Sequence, residues 1–434
     1  MAEKTLDPAL VSRRQFCRQL AGCMSRCWLG NDAHVRERLE QVLDCQATWV
    51  AELAKSLSAS FSEIGYANRF ALESWLRKQP TIKLFFKGKK SRRLTDEVQR
   101  ALASRNHRWP VPPLDSDDDL CRLLEIASLR ELQWLVLPHV RRNTAVDHYK
   151  RTCLKKKSGG YRWIEEPRPK LKAVQRRMLE SVLPGIPLHS AAHAYRTGCS
   201  VQSCAEPHVG QRVVLKLDLR DYFGTISIFR VKALFANAGY SWPIALRLAQ
   251  LCTAPARMDD LRDEARSLTR TRLPQGAPTS PSIANAVAYR MDRRLAGLAA
   301  SVGASYTRYA DDLIFSGDDN FAARVDRFAT SAAAIVIEEG FAIQFRKTRK
   351  LFHGAEQRIL GVTVNEKLNL NRRAFEGLKA ELHNCARRGW RTQNRTEHAD
   401  YRAHLRGRIA YAQSLNPTRG AKLLQLFEQV KWNE

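Results

Sequence analysis

Three aspartates stand out as residues whose type and spacing could do chemistry: Asp218 in VVLKLDLRDYFGTI and the adjacent pair Asp311-Asp312 in SYTRYADDLIFSG. Tyr306 to Tyr309 reads as one short strand and Leu313, Ile314 and Phe315 as the next, which places the pair at the turn of a β-hairpin. An Asp-Asp turn is unremarkable by itself, because aspartate side chains bond the local backbone. Asp218 changes that reading. Val213, Leu215, Leu217 and Leu219 alternate with Val214, Lys216 and Asp218, so a third carboxylate is expected on the non-core face of a strand. Buried and unpaired, each acid would cost roughly several kcal/mol, so the trio calls for a cation. Carboxylates that share two metal ions about 3.5–4 Å apart can clamp the attacking and leaving oxygens of phosphoryl transfer. Magnesium suits such a set, since it takes a few carboxylates together with substrate phosphates and water.

Such a trio needs a sheet to carry it and loops to bring substrate to it. In LPQGAPTSP, Pro274, Gly276 and Pro278 force an irregular loop, and helical spacing resumes from Ile283 to Leu295. Gly276 allows a close backbone approach, and Gln275 can both donate and accept hydrogen bonds. Upstream, Ser158-Gly159-Gly160 is a turn between two strand-like pieces, flanked by Lys155, Lys156, Lys157 and by Arg162. A hairpin with cations at its tip could fold over a triphosphate. Downstream, an amphipathic helix over 322–339 is followed by two strand-like runs, FAIQFRKTRKLF and RILGVTVNE.

The LDLRDYF box, LPQGAPTSPSIANAV and the YADD box, in this order along the chain, resemble the reverse transcriptases, most closely the bacterial retron type, over about residues 112–434. The resemblance implies an α/β (α+β) right-hand polymerase with fingers and palm over 105–365 and a helical thumb over 366–434. It implies an RNA-directed DNA polymerase in which Asp218, Asp311 and Asp312 bind two Mg2+ ions. By position, Lys156 and Arg162 would contact the incoming nucleotide's phosphates. Phe223 would stand beneath the sugar and exclude a 2′-OH, and Lys347 would lie near the leaving pyrophosphate. Gln275 would meet the nucleotide, while Gly276, Ser280 and Tyr309 would meet template and primer. A retron enzyme would copy part of its own structured non-coding RNA, prime from an internal 2′-OH and yield an RNA–DNA hybrid from dNTPs, in antiviral defence against phage and with an effector protein as a further partner. The alternatives are a group II intron-like or abortive-infection reverse transcriptase, or a catalytically silent RNA-binding scaffold.

Two boxes depart from the retron pattern. The NAxxH element appears as Cys204-Ala205-Glu206-Pro207-His208, with cysteine for asparagine, and the VTG element as Ile359-Leu360-Gly361, keeping the glycine alone. His208 reads as a hydrogen-bonding or core histidine rather than a metal ligand. Arg142-Asn143 with His148 matches an R-N…H nuclease pattern too short to carry chemistry.

Composition agrees with a nucleic-acid partner. A formal charge of +28 over 434 residues exceeds what solubility needs, and 44% hydrophobic residues suffice to build two or three cores. The ten cysteines form no CxxC pair, so they read as reduced thiols. No apolar run approaches the ~18 residues of a membrane span, and a cytoplasmic protein is expected. Residues 1–104 read as a separate helical domain without a catalytic constellation. Its basic stretch Lys87, Lys89, Lys90, Arg92 and Arg93 is either a solvated linker or a phosphate-binding patch.

Overall fold

The structure, a computed structural model, describes residues 10–24, 29–43, 46–61, 69–87, 91–93, 109–140, 146–155, 159–255 and 271–432. The chain divides into two compact units. The first comprises Met1–His148, Pro169–Ile186 and Phe229–Leu251; the second comprises Tyr149–Arg168, Pro187–Ile228 and Cys252–Glu434.

In the first unit the apolar spacing read from the sequence becomes helices Arg13–Met24, Asp32–Leu43, Thr48–Phe61, Arg69–Lys78 and Pro80–Phe85. Their inner faces share one core built from Phe16, Leu20, Leu39, Leu53, Leu72 and Phe86, among others. An entirely helical reading missed a small ribbon. Strand β1 (Leu10–Ser12) pairs antiparallel with β2 (Ser91–Arg93), with Leu10 opposite Arg93. Strands of three residues are too short to show a period, and β2 lies inside a run of cations. Lys87 is exposed, whereas Lys89 and Lys90 lie outside the described residues. Helix Asp117–Leu124 opens on three consecutive acids, with Ser116 and Asp119 forming a reciprocal cap. His148 is a core residue: its Nε2 meets the Trp134 carbonyl at 3.0 Å, and Arg142 and Asn143 fall outside the described residues.

The second unit begins with the antiparallel hairpin of β3 (Tyr149–Lys155) and β4 (Tyr161–Pro167). Its turn uses Gly159 and Gly160, both at positive φ. The central sheet contains β5 (Val213–Asp218), β6 (Ser305–Tyr309), β7 (Asp312–Gly317) and β8 (Arg349–Phe352) in the order β6-β7-β5-β8, all antiparallel. The alternation in β5 predicted one apolar face, but Val214 is as buried as Val213. Val214 and Ile314 are covered by a second apolar layer that includes Ile359, Val362 and Leu415. The opposite face receives helix Asp319–Glu338, whose Phe321 and Phe328 rings pack in series on Phe315. The predicted helix over 283–295 is broken at Ala288 into Ser280–Val287 and Tyr289–Ala300.

Beyond β8, strands β9 (Arg358–Ile359), β10 (Val362–Thr363) and β11 (Asn369–Leu370) form a small antiparallel sheet. Leu360 and Gly361, both at positive φ, make the two-residue turn between β9 and β10. Helices Arg372–Arg388, Tyr401–Leu415 and Pro417–Glu428 follow and bury a core of their own around Leu378, Leu382, Leu405, Ile409 and Leu423. Each is opened by a side-chain cap from Asn371, Asp400 or Asn416. Among the described residues no helix is long and apolar enough to cross a membrane.

Candidate active site

Asp218 is the last residue of β5 and lies directly opposite Asp312, the first residue of β7. The sequence placed both acids of the pair in a turn; the structure splits them, with Asp311 in the turn and Asp312 already in the ladder. The turn is closed by Ala310 at φ 54°, a left-handed conformation that a residue with a β-carbon rarely adopts. Asp311 is tied down from its carbonyl, which accepts from the Leu219 N–H at 2.8 Å. The Asp218 carbonyl accepts from the Gln344 N–H at 2.8 Å. The backbone of all three acids is therefore fixed by the sheet edge.

Their side chains carry more negative charge than they can settle among themselves. Burial pushes both the Asp311 and Asp312 carboxyls above the usual carboxylate range, and the neighbouring Asp218 charge adds to this in each case. Lys216 opposes the rise at Asp312, Arg162 opposes it at Asp311, and Lys347 opposes both. Lys347 makes a direct ion pair: its ammonium donates to Asp218 Oδ2 at 2.8 Å and Oδ1 at 3.1 Å, and this hydrogen bond holds its own pKa above the usual lysine value. The described residues contain no group of three or more acid, histidine or cysteine side chains already gathered as a metal cage. The donor set nevertheless fits a hard divalent ion, since it is all carboxylate oxygen, short of positive charge and partly desolvated.

The other predicted residues divide into those around this edge and those serving the scaffold. Arg162 is exposed on β4 and its charge is felt at Asp311; Lys156 lies outside the described residues. Phe223 is half-buried, with its ring 5.4 Å from that of Tyr222. Tyr309 pairs with Asp312 across the hairpin. The Gln275 carbonyl accepts from the Glu165 N–H at 2.8 Å, which fastens the loop to β4. Gly276, at φ 127°, makes its close approach to the protein itself: a β-carbon there would lie 3.1 Å from the Glu165 carbonyl oxygen. Ser280 is buried beneath the loop, where its hydroxyl donates to the Pro274 carbonyl at 2.6 Å.

His208 is a buried neutral hinge pin. It meets Ser316 Oγ at 2.6 Å and Thr307 Oγ1 at 2.8 Å, joining β6 to β7 from behind, and burial depresses its pKa to about 3. Cys204, the departure from the NAxxH pattern, contacts the same Thr307 hydroxyl at 3.3 Å. Two buried charge clusters escaped the sequence reading. Glu165 accepts from Arg272 at 2.8 Å and Arg151 at 3.2 Å, locking the loop and the β3–β4 hairpin together. Arg308 forms a fully buried pair with Asp292. A usable signal existed for the latter, because Asp292 occupies the apolar stripe Ala288, Leu295, Ala299 at helical spacing.

With this geometry in place, comparison with known proteins fixes the family. A family model described as Reverse transcriptase (RNA-dependent DNA polymerase) matches residues 154–364, a span that contains all three aspartates. The retron Mx65 reverse transcriptase of Myxococcus xanthus is 41% identical over 335 residues, covering 76% of this chain and 74% of that protein. The retron Mx162 reverse transcriptase of the same organism is 34% identical over 333 residues, covering 73% and 67%. The retron Ec86 reverse transcriptase of Escherichia coli is 28% identical over 239 residues, covering 53% and 69%. Reverse transcriptases use divalent metal ions, nucleotides and RNA templates. The chain belongs to the retron reverse transcriptases and is an RNA-directed DNA polymerase.

Proposed function

We propose that this polymerase copies part of its own structured non-coding RNA into DNA, starting from an internal 2′-OH, and that Asp218, Asp311 and Asp312 are its metal ligands. The observation that carries the site assignment is the register: Asp218 faces Asp312 across β5 and β7, with Asp311 next in the turn and Lys347 supplying the nearest positive charge. Two Mg2+ ions held there would neutralise phosphate charge and favour the ionised primer hydroxyl. Arg162 offers a guanidinium to the nucleotide phosphates, a role that the family resemblance extends to Lys156. Lys347 brings an ammonium to the end of β5, where pyrophosphate charge develops on departure. Phe223 presents a ring where a 2′-OH would otherwise fit, selecting dNTPs. Gln275 meets the nucleotide, and Gly276, Ser280 and Tyr309 shape the surface that takes the template and primer, Ser280 from beneath.

In the helical C-terminal region Arg402 and Arg406 are exposed one turn apart, suited to the phosphates of an RNA–DNA hybrid, whereas Arg408 is engaged by Glu381 at 2.6 Å. Residues 1–104 carry a core of their own and none of these groups, and serve as a module that anchors RNA or docks an effector protein in phage defence. Sequencing the nucleic acid that copurifies with the protein tests the proposal. A short DNA joined to RNA is expected; intron RNA without such DNA would overturn the retron assignment of the template.

A further inference from the structure

Below the edge that carries the carboxylates lies a charge that touches no substrate. Arg308 of β6 and Asp292 of helix Tyr289–Ala300 have no exposed side-chain surface. Arg308 Nε donates to Asp292 Oδ1 and Nη2 to Oδ2, each at 2.7 Å, so the carboxylate fixes the plane of the guanidinium. Tyr306 donates a third hydrogen bond to Asp292 Oδ1 at 2.8 Å, which holds the acid in turn.

The remaining nitrogen, Nη1, faces three oxygens. They are the Tyr222 hydroxyl at 2.9 Å, the Asn285 side-chain carbonyl at 2.9 Å and the Ala310 backbone carbonyl at 3.0 Å. Each belongs to a different part of the site. Tyr222 precedes Phe223; Asn285 sits on helix Ser280–Val287, which leaves the Gln275-Gly276 loop; Ala310 is the left-handed residue that sets the Asp311 turn. The Arg308 backbone is fixed as well, its N–H donating to Ala191 at 2.7 Å and its carbonyl accepting from His193 at 2.8 Å.

A buried ion pair is a costly way to fill space, because apolar side chains of equal volume do so without desolvating charge. What the guanidinium adds is direction. A planar fork oriented on one side by a carboxylate presents its third nitrogen at a set angle, which an ammonium cannot do. We propose that Arg308, oriented by Asp292, is a positioning residue that holds the sugar-facing Phe223, the Gln275-Gly276 loop and the Ala310-Asp311 turn in one arrangement. The proposal rests on the reading of Asp218, Asp311 and Asp312 as metal ligands and of Phe223 as the sugar gate.

Two variants of the full chain test it. Arg308→Lys keeps the charge beside Asp292 and removes the fork. Tyr222→Phe keeps the ring and removes one of the three acceptors. Mn2+ binding without nucleotide, followed by its EPR signal, should weaken about 10- to 100-fold in Arg308→Lys, the usual range when a partner that orients metal ligands is lost. Discrimination between dNTP and rNTP, measured as a ratio of incorporation efficiencies, should loosen in both variants, and in Tyr222→Phe it should change more than Mn2+ affinity does. A role confined to stability would lower the folded fraction and leave both quantities unchanged in the molecules that fold. Wild-type Mn2+ affinity and discrimination in folded Arg308→Lys would overturn the proposal. Should Arg308→Lys not fold, unchanged discrimination in Tyr222→Phe overturns it instead. Asp311→Asn separates this from the underlying reading: if Asp311→Asn still makes DNA, the metal assignment fails; if it is inactive while both variants match wild type, the positioning role alone fails.

Discussion

Two charged clusters lie a few residues apart along one hairpin, and they are built on opposite principles. Around Arg308 every charge is answered: one carboxylate takes a bidentate pair, one tyrosine completes it, and the spare nitrogen meets neutral oxygens. Around Asp311 and Asp312 burial is less complete and Lys216, Arg162 and Lys347 offset the negative charge only in part, so that burial and the Asp218 charge hold both carboxyls above their usual range. Closed networks of the first kind specify a shape and need no ligand. Open ones of the second kind specify a partner, because only an added cation brings the local charge towards balance. On the proposed reading, the difference separates residues that build the site from residues that bind its metal.

The largest expected effect tests the closed cluster. Asp292→Ala leaves the Arg308 charge buried without its partner, at a cost of about 3–5 kcal/mol, so thermal unfolding should move down by many degrees or the protein should fail to fold. Asp311→Asn removes a carboxylate that burial and Asp218 disfavour, so in the presence of EDTA it should unfold no earlier than wild type. Equal destabilisation by the two substitutions would erase the distinction.

Acidity and metal sharpen the same contrast. A carboxyl whose folded pKa is raised contributes stability below its unfolded value, about 3.9 for aspartate, and loses that contribution as pH rises through the folded value. The metal-free protein is thus penalised at neutral pH by Asp311 and Asp312. Magnesium should restore stability there, by about 2.7 kcal/mol at a concentration 100 times its dissociation constant, and should do less as protons compete towards pH 4. The increment is read from unfolding midpoints with and without Mg2+. An increment that survives Asp311→Asn with Asp312→Asn would place the ion elsewhere.

A smaller effect is expected at His208, which belongs with the closed cluster. Its folded pKa of about 3 lies below the unfolded value near 6.5, so its contribution is present above pH 6.5 and is lost as pH falls towards 3. His208→Leu should cost about 1–3 kcal/mol at pH 7 by leaving Ser316 without its partner and Thr307 with one fewer. It should also flatten the loss of stability between pH 6.5 and 4, as followed by denaturant unfolding. A variant with the wild-type acid profile would show that another group sets that sensitivity.

The open cluster was legible in the sequence, whereas of the closed one only the acid Asp292 on an apolar stripe left a signal, for a physical reason. Alternation in β5 and the hairpin pattern around Asp311 are local, so the strands that carry the three acids could be placed without a structure, while the position of Asp312 in the ladder and the apolar layer over Val214 could not. Arg308 is an arginine in a basic chain beside an acidic box, and read locally it is one more solvated cation. Its partner lies 16 positions earlier, on a helix, and their meeting is a product of tertiary packing. The same holds for Gly276: the need for a glycine was readable, but the neighbour it admits, the Glu165 backbone, was not. The ribbon of β1 and β2 was missed because three-residue strands carry no period.

On the proposed reading, the carboxylates at the edge of β5 and β7 are the metal ligands of DNA synthesis and have no part in holding RNA. Primer extension by Asp311→Asn on an RNA template, with RNA affinity measured on the same preparation, tests this most directly. Extension should fall by several orders of magnitude with RNA affinity and folded fraction unchanged. Substantial extension by that folded variant, or loss of RNA binding in step with loss of synthesis, would contradict it.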